Sequence, residues 1–431
     1  MGTYNHSVLL DIEKCKGCTN CLKRCPTEAI RIRDGHAQIN SSVCIDCGEC
    51  IRICPYKAKK AVSDKLDVLD QYKYTVALPP PSLYGQFDNL DDIDYLLQGL
   101  LDYGFDEVFE VARAAEIVSG YTRRYLRRQD VPRPVISSAC PVITRLISLR
   151  YPFLIENVMP MAPPVDVAAR IARENAMKAH PELKREEIGV CFISPCPAKV
   201  SYIRNRIADG VSDIDCVVSV SDIYFAIVNK MERKLTPVPV SRTGMIGVSW
   251  ATDGGEASAL FNDSYLAADG IENVIKVLDN IDNGSLPDLE FVELDACNAG
   301  CVGGVMNVAN PYIAKARLQS IRRYLPVSQN WDFFNSSNDD TSVPDEMFTD
   351  EELAYDDAGA FSGDMQEAFR RRAAIQEIAE RLPKLDCGSC GAPTCLAFAA
   401  DIVNGDATED DCIVRMRDRM HELLGGDGND G

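Results

Sequence analysis

The stretch IGVCFISPCPAK, residues 188–199, joins an apolar run to a Cys-Pro pair. The run IGVCFIS predicts a buried β-strand, and Cys196 follows it at once. Similar strand patterns are YTVALP, EVFEV, RPVISS, DCVVSV, MIGVSW and LEFVEL, and helical patterns such as LDDIDYLLQGLLDYG and PVDVAARIARENAMK lie between them. This alternation predicts an α/β domain with mainly parallel sheets.

The charge balance bears on the class of partner. The chain has 65 acidic and 45 basic side chains and a net charge of -20. This excess of negative charge argues against nucleic acid and against anionic membranes as partners. No apolar run is long enough to span a bilayer, and the first residues lack a basic region followed by an apolar stretch. The expected location is therefore the cytoplasm.

The 18 cysteines predict metal ligation rather than disulfides, because the cytoplasm keeps thiols reduced. The four histidines lie away from the cysteine groups, which disfavours mixed Cys/His zinc sites. Cysteine spacing and hydrophobic pattern divide the chain into four territories. They are a two-cluster domain at 1–62, a central domain at 70–325, a solvated acidic linker at 326–364 and a C-terminal cluster domain at 365–420.

The first territory carries a duplicated motif of three cysteines at two-residue gaps followed by Cys-Pro. In this pattern the fourth cysteine of each run ligates the other cubane. The expected ligands of the first 4Fe-4S cluster are Cys15, Cys18, Cys21 and Cys54, and those of the second are Cys44, Cys47, Cys50 and Cys25. The stretch resembles bacterial two-cluster ferredoxins and predicts a small α+β domain that passes single electrons.

A second cysteine pattern, CGSCGAPTC followed by one more cysteine, lies in the last territory. It offers four thiolates, Cys387, Cys390, Cys395 and Cys412. The stretch resembles the small 4Fe-4S domain of the corrinoid iron-sulfur protein and of the Rnf complex, and it predicts one more cubane in a small helical domain. A structural zinc site is the alternative.

Six cysteines remain in the central territory. Cys191 and Cys216 lie inside apolar strand patterns and are interpreted as core residues. The other four each follow a predicted strand, where the loops of a parallel sheet gather at its carboxyl edge. Together Cys140, Cys196, Cys297 and Cys301 can supply a complete cubane shell.

The loops around these four cysteines resemble the three active-site motifs of FeFe-hydrogenases, and the resemblance extends over roughly 70–325. It implies that the four cysteines hold the cubane of an H-cluster, and that Cys301 also bridges to a two-iron subsite carrying CO, cyanide and a dithiolate. Lys199 matches the lysine that hydrogen-bonds one cyanide. Pro81 and Ser82 match the pair near the other cyanide.

The chain departs from the family pattern at the positions that move protons. Ala139 stands where the family has a proton-passing cysteine, and a methyl group cannot relay a proton. Tyr202 replaces the usual acid of the second motif, and only Glu116 lies near the expected glutamates. Asp295 replaces a methionine, and we interpret it as a group that tunes the subsite or takes the place of the missing proton-transfer group. The alternative is that its side chain makes only a polar contact with the backbone. These departures resemble the sensory branches of the family.

The resemblance implies an iron-sulfur protein that splits H2 reversibly into protons and electrons at a low rate, as an H2 or redox sensor. Its partners would be H2, protons, a redox protein such as ferredoxin, and a signalling kinase or phosphatase. Two alternatives stay open. One is a catalytically competent, ferredoxin-linked hydrogenase, and the other is a non-enzymatic iron-sulfur electron carrier without the two-iron subsite.

Overall fold

The computed structural model describes residues 5–88, 90–228, 231, 238–286, 288–330, 340–356 and 365–423. The N-terminal segment contains two short antiparallel sheets, in which β1 pairs with β4 and β2 pairs with β3. Its elements are β1 (Val8–Leu10), α1 (Asn20–Lys23), β2 (Ile30–Arg33), β3 (His36–Ile39), α2 (Glu49–Arg52) and β4 (Lys59–Ala61). This is the predicted small α+β arrangement.

The central segment contains two parallel sheets covered by helices, as the sequence predicts. Its strands are β5 (Tyr74–Leu78), β6 (Glu107–Val108), β7 (Val135–Ile136), β8 (Ile188–Ser194), β9 (Cys216–Ser219), β10 (Tyr265–Asp269) and β11 (Phe291–Asp295). One sheet has the order β6-β5-β8-β9 and the other has the order β10-β11-β7. All pairs in both sheets are parallel, so the carboxyl ends of each sheet lie along one edge.

Helices connect these strands and cover both sheets. They are α3 (Pro81–Tyr84), α4 (Ile93–Tyr103), α5 (Val111–Leu126), α6 (Pro141–Arg150), α7 (Pro164–Ala179), α8 (Pro197–Ala208), α9 (Val220–Ile227), α10 (Met245–Ser249), α11 (Gly255–Ser258), α12 (Ile271–Asp282) and α13 (Pro311–Ile321). The C-terminal segment is helical, as predicted, with α14 (Met365–Arg381), α15 (Cys395–Asn404) and α16 (Ile413–Leu423).

One predicted strand is wrong. The run MIGVSW forms the short helix α10 instead of a strand. The amides of Met245 and Ile246 donate to the carbonyls of Pro326 and Val327, and Gly247 packs against α5 so closely that a Cβ there would lie 2.1 Å from the carbonyl oxygen of Ala112. The run is apolar because it is buried between these segments. A short apolar run fits a buried helix as well as a buried strand, so the sequence pattern did not distinguish the two.

The core interpretation of Cys191 and Cys216 is confirmed. The two residues are paired across the neighbouring strands β8 and β9, and both side chains are fully buried. They pack with Leu83, Ile193 and Val218 in one hydrophobic cluster. Both act as small apolar residues there.

Part of the stretch expected to be a solvated linker packs against the central segment. Residues 331–339 and 357–364 lie outside the described residues. In between, Ala162 donates its backbone amide to the carbonyl of Met347, and Thr349 donates to the carbonyl of Pro160. Met347 is buried in the main hydrophobic cluster, so residues 340–356 form a structural part of the central domain.

Among the described residues, no helix has both the length and the apolar character needed to cross a membrane.

Candidate metal centres and the cavity beside Cys301

The cysteines of the first predicted cluster lie together. Burial raises the pKa of Cys21 most strongly, Lys59 opposes this, and the negative charge of the thiolates of Cys18, Cys15 and Cys54 raises the pKa further. A charge acts on a thiol in this way only at short range. Cys54, the fourth cysteine of the second run, is therefore close enough to Cys21 for its charge to act on that thiol.

The cysteines of the second predicted cluster line one small cavity of about 350 Å³, which is formed by Cys25, Cys44, Cys47 and Cys50 among other residues. Burial raises the pKa of Cys47 well above its usual value, and the thiolates of Cys25, Cys50 and Cys44 raise it further. Thiols with raised pKa values must lose protons to a cluster when it binds, because the thiolate is the ligand.

The third group of cysteines forms the C-terminal site. Cys387, Cys390, Cys395 and Cys412 line another cavity of about 350 Å³. Cys395 begins α15, Cys412 is buried, and Cys387 is exposed to solvent. In the described part of the chain, no three His, Cys, Asp or Glu side chains are arranged to hold a single metal ion.

The four separated cysteines of the central domain follow strand ends, as expected. Cys140 comes after β7 and caps α6, and Cys196 comes after β8 and caps α8. Cys297 and Cys301 follow β11. Burial raises the pKa of Cys297, and the thiolates of Cys196, Cys140 and Cys301 act on it in the same direction. The carboxyl ends of two different sheets thus bring the four thiols together.

The segment that carries Cys297 and Cys301 requires glycine at two positions, Gly300 and Gly304. Gly300 has φ +85°, and a Cβ there would lie 2.5 Å from the backbone nitrogen of Asp253. A Cβ at Gly304 would lie 2.3 Å from the carbonyl oxygen of Pro195, which belongs to the Cys196 loop. Close backbone approach therefore holds the two cysteine loops against each other.

A cavity of about 710 Å³ opens beside Cys301. Its lining contains the predicted site residues Pro81, Ser82, Ala139, Cys140, Lys199, Asp295 and Cys301. The ammonium of Lys199 lies 3.6 Å from Cys301 Sγ and donates to it. Residues that are far apart in sequence thus converge on one site.

Lys199 is surrounded by negative groups. Burial by itself would lower its pKa, but the thiolates of Cys301, Cys196 and Cys140 and the carboxylate of Asp295 outweigh burial and raise it above the usual value. The lysine therefore stays charged at every physiological pH. A permanent cation fits a site that receives an anionic ligand.

Ser82 supplies an independent indication that a polar ligand binds in this cavity. Its side chain is fully buried at the start of α3, and among the described residues its Oγ has no hydrogen-bond partner. A buried hydroxyl without a partner is unfavourable and calls for a group to bond with. Cys140, Cys301, the Lys199 ammonium and the unpartnered Ser82 hydroxyl line this cavity, and they fit an iron-sulfur cluster with an attached polar, anionic group.

Three carboxyl groups line the same cavity as the lysine, and the sequence interpretation found only one of them. Burial raises the pKa of Asp295 to about 7 and that of Glu256 to about 8, and it raises that of Glu293 well above its usual value. Ser137 Oγ donates to Glu256 at 2.6 Å, and the amide of Ala257 donates to Glu293 at 2.7 Å. A hydrogen bond also connects the carboxyls of Glu293 and Asp295. Glu293 could have been found as an acid inside an apolar strand, two residues before Asp295, whereas Glu256 gives no such signal.

The departures from the family pattern have clear positions. Ala139 lines both this cavity and a second, open cleft of about 1300 Å³, so its methyl group stands where the two meet. Tyr202 also lines the cleft and donates to Asp166 at 2.6 Å. Glu116 is fully buried and accepts from Ser328, Asn330 and the amides of Gly244 and Gln329. These hydrogen bonds occupy its carboxylate and connect α5 to the segments that carry the donors.

Family models match all three cysteine-bearing regions. The model described as iron only hydrogenase large subunit, C-terminal domain, matches residues 73–261 and 255–305, which together make up more than half of the chain. A 4Fe-4S dicluster domain matches residues 7–55, and an Fe-S cluster domain matches residues 382–414. These matches confirm the predicted cofactors: two N-terminal 4Fe-4S clusters, an H-cluster domain and a C-terminal iron-sulfur cluster.

The chain is also similar to individual proteins. The chain is 23% identical over 378 residues to the periplasmic Fe hydrogenase large subunit of Nitratidesulfovibrio vulgaris, covering 72% of this chain and 88% of that protein. The chain is 56% identical over 36 residues to the corrinoid/iron-sulfur protein large subunit of Moorella thermoacetica, and this match covers 8% of each protein. A solved structure of a variant of the FeFe-hydrogenase HydA1 from Chlamydomonas reinhardtii is 16% identical, with a TM-score of 0.43 over 57% of this chain and 84% of that one. By the match to more than half of its length, the chain belongs to the family of the iron only hydrogenase large subunit, C-terminal domain.

Proposed function

We propose that the chain binds an H-cluster in the cavity beside Cys301 and uses it to split H2 reversibly at a low rate, as a sensor of H2 or of redox poise. The observation that carries the proposal is the placement of Lys199. Its ammonium lies 3.6 Å from Cys301 Sγ inside a cavity that also holds the unpartnered hydroxyl of Ser82. A cubane alone needs only the four thiolates, whereas a cation and a free donor beside them suit additional anionic ligands.

An H-cluster, when bound, supplies the splitting of H2 into protons and electrons. The chain supplies the surroundings. Cys140, Cys196, Cys297 and Cys301 would hold the cubane, and Cys301 would also bridge to the two-iron subsite. Lys199 and Ser82 would orient the cyanide ligands by hydrogen bonds, while Pro81 limits the volume that water can fill.

The low rate follows from Ala139. Ala139 lines both the cavity and the open cleft, and its methyl group cannot carry a proton from one to the other. Exposed carboxylates on the cleft, such as Glu156 and Glu351, could accept a proton beyond it. The missing group is therefore a proton donor and acceptor at a position that the cavity and the cleft share.

Infrared spectroscopy of the protein after maturation tests the proposal. We expect absorption bands of CO and cyanide bound to iron, together with weak H2 turnover with an artificial electron carrier. Absence of the bands from a preparation with full 4Fe-4S content would contradict the H-cluster and leave an electron carrier. Bands with fast turnover would favour a working hydrogenase over a sensor.

A working, ferredoxin-linked hydrogenase is the second candidate, and the carboxyl groups of Asp295, Glu293 and Glu256 favour it. Glu293 and Asp295 are hydrogen-bonded to each other, and Glu256 accepts from Ser137. All three carboxyl groups line the cavity. They could take over the proton transfer that Ala139 cannot perform.

Replacing Asp295 by Asn tests this role. The pKa of Asp295 is raised to about 7 by burial, so its proton-accepting form becomes populated as the pH rises through that value. If Asp295 accepts protons, H2 oxidation increases over this range in the unaltered protein, and Asp295→Asn removes the increase and lowers the rate at least about tenfold. The pH–rate profile is the measurement, with the exposed Asp263→Asn as control. Identical profiles for Asp295→Asn and the unaltered protein would leave Asp295 as a backbone contact.

The partners and the location also belong to the proposal. A ferredoxin-like electron partner is consistent with the 4Fe-4S dicluster match at residues 7–55. A signalling kinase or phosphatase stays a prediction, which co-purification with the native protein would test. The cytoplasm also stays a prediction, and cell fractionation would test it against the periplasmic location in the name of the Nitratidesulfovibrio relative.

A further inference from the structure

The C-terminal cluster domain packs on the N-terminal cluster domain. Asp401 on α15 accepts from Arg31 Nε at 2.8 Å and from Arg33 Nη2 at 2.6 Å, and both arginines lie on β2. The carboxylate is 9% exposed, so this is a largely buried ion pair with two cations. The backbone amide of Ile32 also donates to the carbonyl of Gly391 at 2.9 Å.

These contacts involve the loops that carry the cluster ligands. Gly391 directly follows Cys390, and a Cβ at Gly391 would lie 2.1 Å from the carbonyl oxygen of Ile32. Arg33 donates to the carbonyl of Cys390 at 3.2 Å. On the other side of the interface, Lys23 lies two residues beyond Cys21 and donates to the carbonyl of Pro393 at 2.7 Å.

Contacts at Gly388 connect the same two loops. A Cβ at Gly388, next to Cys387, would lie 3.0 Å from Lys23 Cε and 3.1 Å from Leu22 Cδ2. Leu22 directly follows Cys21. The ligand loop of the C-terminal site therefore contacts the segment next to Cys21 at Gly388 and strand β2 at Gly391.

The second N-terminal site contacts the central domain instead. Arg145 Nε donates to the carbonyl of Cys44 at 2.8 Å, and Arg52 donates to the carbonyl of Gly303, close to Cys301, at 3.1 Å. Cys47 packs in one hydrophobic cluster with Cys140 and Cys196. The second site thus faces the cavity, and the first site faces the C-terminal domain.

We propose that the C-terminal cluster is the outer terminal of a single electron path, in the order cavity, second N-terminal cluster, first N-terminal cluster, C-terminal cluster. Each step passes one electron, so that one 4Fe-4S cluster is oxidised by one unit and the next is reduced by one unit, with no bond made or broken. At the outer end a one-electron redox protein exchanges the electron near the exposed Cys387. The inner end of the path rests on the proposed function, whereas the order of the three 4Fe-4S clusters does not.

Breaking the interface without touching a cysteine tests the order. Asp401→Arg places a third cation against Arg31 and Arg33 and should separate the two cluster domains. The sample is the full chain loaded with iron and sulfide, without the two-iron subsite. In electron paramagnetic resonance spectra of the reduced protein we expect spin coupling between the C-terminal and first N-terminal clusters, and we expect Asp401→Arg to lose it at unchanged iron content.

Electron transfer provides the second measurement. The measured quantity is the rate at which reduced ferredoxin reduces the two N-terminal clusters. We expect this rate in Asp401→Arg to be as low as in a Cys390→Ala/Cys395→Ala variant, which lacks the C-terminal cluster. The exposed Asp406→Arg is the matched control in the same domain and should behave as the unaltered protein does.

A compensating variant guards against simple misfolding. Arg31→Asp and Arg33→Asp combined with Asp401→Arg reverse the ion pair and should restore both coupling and rate. Coupling absent from the unaltered protein, or coupling and rate both preserved in Asp401→Arg, would overturn the proposal. Absence of H2 turnover in a separate, matured preparation of the unaltered protein, with the coupling intact, would count against the proposed function alone.

Discussion

Replacing Lys199 by Met is expected to lower H2 turnover by about a thousandfold and to remove most of the CO and cyanide absorption. The ammonium of Lys199 is the cation among the thiolates of Cys301, Cys196 and Cys140 and the carboxylate of Asp295. Removing one member of a buried ion pair costs about 3–5 kcal/mol, because the remaining charges lose their partner. Methionine keeps the length and apolar stem of lysine, so the loss reports the charge.

The same variant should keep its 4Fe-4S content, since every cysteine ligand remains. Lys178→Met is the matched control, because Lys178 forms only an exposed pair with Glu174 at 3.3 Å. Iron analysis and infrared spectra of the two variants are the measurements. Full CO and cyanide bands in Lys199→Met would show that the lysine does not hold the subsite.

Introducing cysteine at Ala139 is expected to have the opposite effect and to raise H2 turnover by about a hundredfold. The residue lies where the cavity meets the open cleft, so a thiol there can accept a proton from the cavity and release it toward Glu156 and Glu351. Proton transfer by a positioned side chain contributes about 10²–10⁴-fold in rate.

Ala139→Ser separates proton transfer from a change in size. Serine is nearly as small as alanine, and its hydroxyl is far less acidic than a thiol, so we expect the rate to stay close to that of the unaltered protein. Turnover with an artificial electron carrier, normalised to infrared band intensity, is the measurement. An unchanged rate in Ala139→Cys would mean that another step limits turnover.

The cysteine sites were predictable because spacing restricts where thiols can go. The Cys-Pro repeats place their cysteines within tight loops, and parallel strands of one sheet bring their carboxyl ends to one edge, so Cys140 and Cys297 were expected to lie close together. Cys196 follows a strand of the other sheet, and its approach to them depends on how the two sheets pack. Ala139 was informative for the same reason, since it directly precedes Cys140, a predicted cluster ligand.

Other features depend on contacts that no local pattern encodes. Glu256 reaches the cavity from α11 through its bond to Ser137, which is distant in sequence. In the sequence, Asp401 does not differ from the many other acidic residues of the chain. Its role is visible only in the structure, where Arg31 and Arg33 of β2 lie opposite it. The prediction of a strand for MIGVSW was wrong because an apolar pattern indicates only burial. Burial alone does not distinguish a short helix from a strand.

The pairing of Asp401 with Arg31 has a consequence for biosynthesis. The two residues are 370 positions apart, so the ribosome completes the whole central domain before the partner of β2 exists. During translation the early domain therefore carries two arginines whose acidic partner has not yet been synthesised. The contact between the two cluster domains forms only after α15 has been made.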